Sequence, residues 1–179
     1  MNQALQQVNW AVLGCGHIAE TFMRSMQSVD KARVISCAAR DMVRAKAFAD
    51  KYDIERYFDS YVDMLKDRAV NAVYIATTHN FHFEQIILCL QHGKHVLCEK
   101  PLTLNAKQAA KAFKLAEQHN LLLIEAVWTR FLPAIHALQQ ALKSGKIGEV
   151  QGVQCSFTIN REVADSHRLK DPRLAGGAL

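Results

Sequence analysis

The chain contains 179 residues, of which 50% are hydrophobic and 22% are charged, so it can bury one full core and has the composition of an ordinary soluble protein. Its formal charge is +5, but Lys and Arg are scattered without a block of like charge, which argues against a nucleic-acid partner. Its apolar runs are far shorter than the roughly 20 residues that cross a bilayer, and the amino terminus lacks the pattern of a secretory signal. We therefore predict a cytoplasmic protein with no membrane partner.

The cysteines are odd in number, lie in or beside apolar stretches and show no CxxC spacing. They are Cys15, Cys37, Cys89, Cys98 and Cys155. This pattern predicts buried, reduced thiols in a cytosolic protein rather than a disulfide framework.

Short apolar runs rich in Val, Ile and Leu alternate with helical patterns along most of the chain. The runs predict strands at residues 8–13, 33–38, 72–76, 95–98 and 121–124. The helical patterns between them lie at 18–27, 42–51, 61–66, 81–91 and 105–119. Continuous apolar runs indicate strands covered on both faces, and the alternation with helices indicates βαβ units. The sequence therefore predicts an α/β fold with a doubly wound parallel Rossmann sheet.

The pattern changes in the last part of the chain. A further helix is predicted at 131–143, with Gly145 at its end. Apolar residues then alternate with polar ones over residues 153–160, which is typical of a half-buried strand in an open antiparallel sheet. We therefore assign residues 1–127 to the Rossmann domain and 128–179 to the beginning of an α/β second domain that this chain leaves incomplete.

A glycine-rich segment, Gly14-Cys15-Gly16-His17-Ile18-Ala19, follows the first predicted strand and opens the first predicted helix. In that context the GxGxxA pattern is specific for a dinucleotide. The first glycine permits a tight turn, the second lets the backbone approach a pyrophosphate, and the helix amides face the phosphates. We therefore predict that the cofactor is contacted by Gly14, Gly16, His17 and Ile18.

The end of the second predicted strand indicates which dinucleotide is bound. An acidic residue about 20 positions past the fingerprint would bind the ribose 2′-hydroxyl, but this chain has Ala38-Ala39-Arg40 there. A guanidinium suits a 2′-phosphate, which a carboxylate would repel, so we predict NADP as the cofactor and Arg40 as its phosphate ligand. NAD stays open, because the neighbouring Asp41 could meet the ribose or Arg40 could be a solvated charge.

The tripeptide Glu99-Lys100-Pro101 follows the predicted strand at 95–98. Proline disfavours the α region for the residue before it, so Lys100 is held extended and its ammonium is aimed at the strand ends. A lysine held in this way can exchange a proton with a reacting oxygen. An arbitrary Glu-Lys-Pro is more often a strand end with solvated charges, so the interpretation depends on the other motifs.

Four motifs follow one another along the chain: the glycine fingerprint, Thr77-Thr78-His79-Asn80-Phe81-His82, Glu99-Lys100-Pro101 and Glu125-Ala126-Val127-Trp128-Thr129-Arg130-Phe131. Together they resemble the Gfo/Idh/MocA oxidoreductase family, in particular its dihydrodiol and xylose dehydrogenase branch, and the resemblance covers essentially the whole chain. It implies an NAD(P)-dependent enzyme that transfers a hydride between nicotinamide and a sugar, polyol or trans-dihydrodiol. It also implies a second domain, an open α/β sheet for substrate binding and dimerisation.

The resemblance assigns roles by matching position. Lys100 corresponds to the catalytic lysine beside the nicotinamide, with its peptide bond to Pro101 expected to be cis. The cofactor cleft is expected to be lined by Thr77, His79, Asn80, Glu99 and Lys100, and the substrate to be contacted by Trp128, Arg130 and Phe157. Thr78 departs from the proline that is common in the family, which alters the stiffness of the turn. Trp128 and Phe157 could instead fill a core, as large aromatic residues often do.

His79 and His82 are close in sequence, but no carboxylate or thiol accompanies them, so we predict no metal site.

The function of the chain stays open between alternatives. In relatives a second acid/base residue follows a Gly-Gly-Ala-Leu segment, at which this chain stops, so the chain is expected to be truncated. It could be part of a dehydrogenase of small carbohydrates or diols that forms a homo-oligomer only at full length, a non-catalytic NADP-binding module, or an inactive fragment.

Overall fold

A six-stranded parallel sheet forms the centre of the computed structural model, which describes residues 7–156, 158, 170 and 171. Its strands are β1 (Val8–Leu13), β2 (Ala32–Ala38), β3 (Arg56–Phe58), β4 (Ala72–Ile75), β5 (His95–Cys98) and β6 (Leu123–Glu125). The strand order is β3-β2-β1-β4-β5-β6, so the direction of winding reverses between β1 and β4. This is the order of a doubly wound dinucleotide-binding sheet, and the predicted α/β fold class is confirmed.

Helices cover both faces of the sheet. They are α1 (His17–Met26), α2 (Met42–Tyr52), α3 (Tyr61–Leu65), α4 (His82–Gln91) and α5 (Ala106–Gln118). A further helix, α6 (Pro133–Lys143), follows the sheet and has no buried residue. Buried residues of α1 and α2 pack on one face, and those of α3, α4 and α5 pack on the other. Among the described helices, none combines the length and the hydrophobicity that crossing a bilayer requires.

The sheet separates two hydrophobic cores. On β1, Val12 belongs to the core beneath α1 and α2, whereas Ala11 and Leu13 belong to the core beneath α3, α4 and α5. Successive side chains of a strand point to opposite faces, so a strand covered on both sides is apolar at most positions. This double burial is the physical reason for the continuous apolar runs in the sequence.

Three local elements were not predicted. Strand β3 is short, lies at the edge of the sheet and contains the polar Arg56, so it lacks the apolar run of the inner strands. Two 3-10 helices, His79–Phe81 and Trp128–Phe131, stand where the sequence predicted loop or helix start. Short elements of this kind depend on what surrounds them more than on local composition.

The predicted strand at 153–160 is not present in the part of it that the structure describes. Residues 151–156 have no regular secondary structure, and Val153 is 81% exposed. Cys155 is exposed, so the prediction that this thiol is buried was wrong. Alternating apolar residues form a stable strand only when a neighbouring strand and a second layer cover them. Phe157, Ile159 and Asn160 lie outside the described residues.

Candidate functional site

A cleft of about 910 Å³ lies at the carboxyl ends of β1, β2, β4 and β5, where the strand order reverses. Crevices at this position are the usual ligand sites of doubly wound sheets. Most of the residues predicted to bind the cofactor line it: Gly14, Gly16, His17, Ile18, Arg40, Thr77, His79, Glu99 and Lys100. The fold thus brings the glycine fingerprint, Arg40 and the lysine motif to one place.

The two glycines of the fingerprint have different environments. Gly14 has φ +98°, and a Cβ there would stand 2.9 Å from Cγ2 of Thr77 and 3.1 Å from the carbonyl carbon of Ala76. Gly16 precedes α1 in an extended conformation, and a Cβ there would meet nothing within 4 Å. Gly14 is therefore needed by the fold, whereas Gly16 leaves open space beside the amino end of α1. That space fits a group that approaches the backbone closely, such as a pyrophosphate.

Two arginines lie on the side of the cleft formed after β2. The guanidinium of Arg40 lies 5.7 Å from the ring centroid of Phe81, and Arg44 also lines the cleft. Oδ1 of Asp41 accepts hydrogen bonds from the backbone amides of Val43, at 2.7 Å, and Arg44, at 3.1 Å. Because Asp41 caps α2, its carboxylate is already engaged, and the cations face the cleft instead. This arrangement suits a phosphate better than a ribose hydroxyl.

Arg44 is a cleft residue that the sequence reasoning missed. It lies one helical turn beyond Arg40, in the first turn of α2, so a spacing of four residues from a predicted phosphate ligand could have indicated it. The structure adds Tyr61, Phe81, Glu84 and Gln85 to the cleft lining. Phe81, Glu84 and Gln85 follow the predicted site residue His79 closely in sequence, whereas Tyr61 comes from the separate helix α3.

Lys100 lines the cleft beside a partly buried hydrogen bond. The hydroxyl of Tyr74 donates to Oε1 of Glu99 at 2.7 Å, and Oε2 of Glu99 accepts from the backbone amide of Lys100 at 3.3 Å. Burial and the bond to Glu99 hold the pKa of Tyr74 well above its usual range, so this phenol remains a donor. The peptide bond between Lys100 and Pro101 is cis. Tyr74 thereby fixes the backbone that carries Lys100.

His82 joins the lysine motif to the turn after β4. It is fully buried, with Nδ1 lying 2.9 Å from the carbonyl oxygen of Pro101 and Nε2 lying 3.2 Å from that of Thr77. The hydroxyl of Thr77 in turn donates to Oε1 of Gln85 at 2.5 Å. Both ring nitrogens of His82 are therefore engaged by the backbone and unsuited to ligating a metal together with His79.

Three predicted site residues that the structure describes, Asn80, Trp128 and Arg130, are not among the residues that line the cleft. Asn80 lies in the 3-10 helix His79–Phe81 but is not among the lining residues, and its Oδ1 is buried without a hydrogen-bond partner. Trp128 is 61% exposed and Arg130 is exposed, both in the 3-10 helix that follows β6. The alternative that Trp128 fills the core is therefore wrong. Phe157 lies outside the described residues.

Comparison with known proteins identifies the family of this chain. The model of the Gfo/Idh/MocA oxidoreductases, described as an oxidoreductase family with an NAD-binding Rossmann fold, matches residues 8–127. The chain belongs to this family. The matched residues run from β1 to just past β6 and include every residue that lines the cleft.

The curated relatives of this Gfo/Idh/MocA chain include trans-1,2-dihydrobenzene-1,2-diol dehydrogenases. The protein from Bos taurus is 37% identical over 174 residues, which are 96% of this chain and 51% of the relative. The protein from Homo sapiens is 38% identical over 174 residues, which are 96% of this chain and 52% of the relative. The chain thus spans about half the length of the curated relatives that it matches.

Solved structures of family members have the same fold. A 3-ketoreductase from Actinomadura kijaniata in complex with TDP-benzene and NADP has a TM-score of 0.76 and 32% sequence identity, with 82% of this chain and 45% of that chain covered. A scyllo-inositol dehydrogenase from Lactobacillus casei has a TM-score of 0.74 at 23% identity, with 80% of this chain and 44% of that chain covered. The second likeness concerns the fold alone.

Proposed function

We propose that this chain binds NADP in the cleft and contributes Lys100 to reversible hydride transfer between the nicotinamide and a carbinol carbon. One observation carries the proposal. The open glycine turn, two arginines and Lys100 line a single cleft at the point where the strand order reverses. With its pyrophosphate beside Gly16, the cofactor would extend toward the two arginines at one end and toward Lys100 at the other.

The preference for NADP rests on charge. Arg40 and Arg44 line the cleft after β2, while Oδ1 of Asp41, which follows Arg40 in sequence, accepts two backbone hydrogen bonds of α2. A 2′-phosphate would meet two cations there and no free carboxylate of that segment. The structure of the 3-ketoreductase from Actinomadura kijaniata contains NADP, which supports this choice of cofactor.

The chemistry proposed for Lys100 is proton transfer at the substrate oxygen. A bound nicotinamide would accept or supply the hydride. Lys100 would hold the substrate hydroxyl by a hydrogen bond and take up or return its proton, while Glu99 and Tyr74 keep the lysine backbone in place. Because Lys100 is exposed at the rim, its ammonium has room to reach a substrate that lies over the cleft.

The proposed substrate is a sugar, a polyol or a trans-dihydrodiol; a trans-dihydrodiol is what the name of the curated relatives prints. We propose Trp128, Arg130 and Phe157 as substrate contacts, and residues 1–127 as the Rossmann domain preceding the substrate domain. A cytoplasmic location and a homo-oligomer of the longer form are part of the same proposal. The free cysteines among the described residues fit a reducing compartment.

Cofactor preference is tested by fluorescence titration of NADP and NAD against wild type, Arg40→Ala and Arg44→Ala. Each arginine should contribute a charge-assisted hydrogen bond of about 1.5–3 kcal/mol, so each variant should lose roughly tenfold to a hundredfold in NADP affinity and little in NAD affinity. Arg33→Ala, at the amino end of β2, is the matched control and should leave both affinities unchanged. An unchanged ratio of the two affinities in Arg40→Ala would overturn the assignment.

Chemistry is tested by following NADP reduction with a trans-dihydrodiol or xylose. Wild type should turn over, and Lys100→Met should bind NADP normally but lose turnover, because the proton acceptor is gone. Lys107→Met, on the exposed side of α5, is the matched control and should behave as wild type. Tight NADP binding without turnover in wild type would favour a binding module over a dehydrogenase.

A further inference from the structure

Phe81 is a cleft residue to which the proposed function assigns no role. It ends the 3-10 helix His79–Phe81, and its backbone amide donates to the carbonyl oxygen of Thr78 at 3.0 Å. Its side chain is half-buried and lines the cleft after β4, whereas Arg40 lines the cleft after β2. Strand β1 lies between β2 and β4 in the sheet, so the fold brings the ring and the guanidinium together from separate segments.

The ring of Phe81 contacts the guanidinium of Arg40. The guanidinium carbon lies 5.7 Å from the ring centroid. A guanidinium within about 6 Å of an aromatic ring is attracted by the negative potential of the ring face. Burial raises the pKa of Tyr61 and the charge of Arg40 opposes this shift, so the guanidinium also lies near a second aromatic side chain of the cleft. Arg40 is exposed, yet these contacts give its guanidinium a defined place.

The hydrogen-bond donors of Arg40 are available to a ligand. Among the described residues its guanidinium makes no hydrogen bond and no ion pair, although the carboxylate of Glu84 also lines the cleft. Arg33 on β2 and Arg56 on β3 each pair with a carboxylate instead. A carboxylate partner occupies the N–H donors and offsets the charge, whereas an aromatic ring orients the guanidinium and leaves both for an anion.

The contact with the ring changes what a phosphate must do to bind Arg40. An exposed arginine loses side-chain freedom when a phosphate fixes its guanidinium, and this loss of entropy lowers the affinity. A ring that already holds the guanidinium reduces the loss, because fewer side-chain conformations remain to be excluded. The gain applies to the group that Arg40 binds and to no other part of a dinucleotide.

We propose that Phe81 is a positioning residue for the choice of cofactor. The ring holds the Arg40 guanidinium so that its free donors bind the 2′-phosphate of NADP. The inference deepens the proposed function and rests on it, since Arg40 is the phosphate ligand proposed there. NAD has a hydroxyl in place of that phosphate, so the ring contributes to the affinity for NADP and not to the affinity for NAD. A cation–π contact at an exposed site corresponds to about twofold to fivefold in affinity.

The experiment measures binding of adenosine 2′,5′-bisphosphate and of adenosine 5′-monophosphate to the full chain by isothermal titration calorimetry. The two probes differ only in the 2′-phosphate. Phe81→Leu should weaken binding of the bisphosphate by about twofold to fivefold and leave binding of the monophosphate unchanged. Phe81→Met accompanies it as a second variant without a ring. Phe81→Tyr should keep the wild-type ratio of the two affinities, because a phenol retains the aromatic face.

Two controls separate positioning from a general effect on the cleft. In an Arg40→Ala background, Phe81→Leu should have no further effect on either probe, because the guanidinium that the ring holds is gone. Phe113→Leu makes the same change on α5, outside the residues that line the cleft, and should leave both affinities unchanged.

Separate outcomes distinguish this inference from the proposed function. If wild type prefers the bisphosphate and both ring-free variants keep that preference, this inference is overturned while the proposed function stands. Equal weakening of the two probes would mean that the ring contacts the adenine instead of positioning Arg40, and it too overturns the inference, as does an effect of Phe81→Leu that persists in Arg40→Ala. If wild type binds the two probes equally, the proposed NADP site fails, and the role of Phe81 fails with it.

Discussion

Replacing Gly14 with alanine should destabilise the fold. The backbone at Gly14 has φ +98°, where a side chain costs about 1–3 kcal/mol in strain. The added Cβ would stand 2.9 Å from Cγ2 of Thr77 and 3.1 Å from the backbone of Ala76, and overpacking of this kind costs roughly 1–3 kcal/mol. The carbonyl of Ala76 directly follows the inner strand β4, so it cannot move freely. We therefore expect Gly14→Ala to lower the free energy of unfolding by about 2–5 kcal/mol.

Gly16→Ala is the matched control, because it makes the same chemical change two residues away. Gly16 has φ −108°, which any residue adopts, and its Cβ would meet nothing within 4 Å. Stability should stay the same or rise by up to about 1 kcal/mol, since alanine restricts the unfolded chain. The new methyl would project into the space proposed for the pyrophosphate, so NADP affinity should fall by at least about tenfold.

The assay is urea and thermal unfolding of both variants, together with NADP titration. For a chain of this length, Gly14→Ala should lower the melting temperature by about 5–15 °C. A free energy of unfolding for Gly14→Ala within about 0.5 kcal/mol of the wild-type value would refute this prediction, because strain and close contact at position 14 would then be absent. It is also refuted if Gly16→Ala loses stability while keeping its affinity for NADP.

Three further predictions concern stability. Asp41→Ala should cost about 1 kcal/mol in urea unfolding because it removes the cap of α2, whereas Asp41→Asn, which can still accept these bonds, should cost little. His82→Phe should cost about 1–3 kcal/mol, because at least one of the carbonyls of Pro101 and Thr77 loses its N–H donor; wild-type stability would contradict this. Burial raises the pKa of Cys89 from 9.0 to about 12, so above pH 9 the unfolded chain releases a proton that the folded chain keeps. Stability should fall by about 1.4 kcal/mol per pH unit from this thiol as pH rises from 9 towards 12, and Cys89→Ala should lose that part of the slope.

Much of the fold could be predicted from local sequence. Strands β1 and β5 match their predicted residues, because an apolar run bounded by glycine or charge forms a strand when a parallel sheet is covered on both faces. The helix α5, predicted at 105–119, begins after Asn105, whose Oδ1 accepts from the Gln108 amide at 3.0 Å, the usual way in which an asparagine caps a helix. The edge strand β3 escaped prediction because its pairing with β2, not its composition, makes it a strand.

The candidate site, like the fold, could be predicted from the sequence only in part. Contiguous motifs identified Gly14, Gly16 and Lys100, because their chemistry depends on backbone conformation and on the position of a strand end. The tertiary structure alone decided that Tyr74 donates to Glu99 and that His82 lies between the carbonyls of Thr77 and Pro101.

The sequence by itself therefore determined the family, the sheet and the dinucleotide fingerprint. Each of these follows from residues that are close together along the chain, where periodicity and turn chemistry act. The electrostatics of the cleft and the bond from Tyr74 to Glu99 were decided only when parallel strands brought distant segments to one edge of the sheet. Side chains that meet across strands have no fixed spacing in sequence, so only the folded chain defines their contacts.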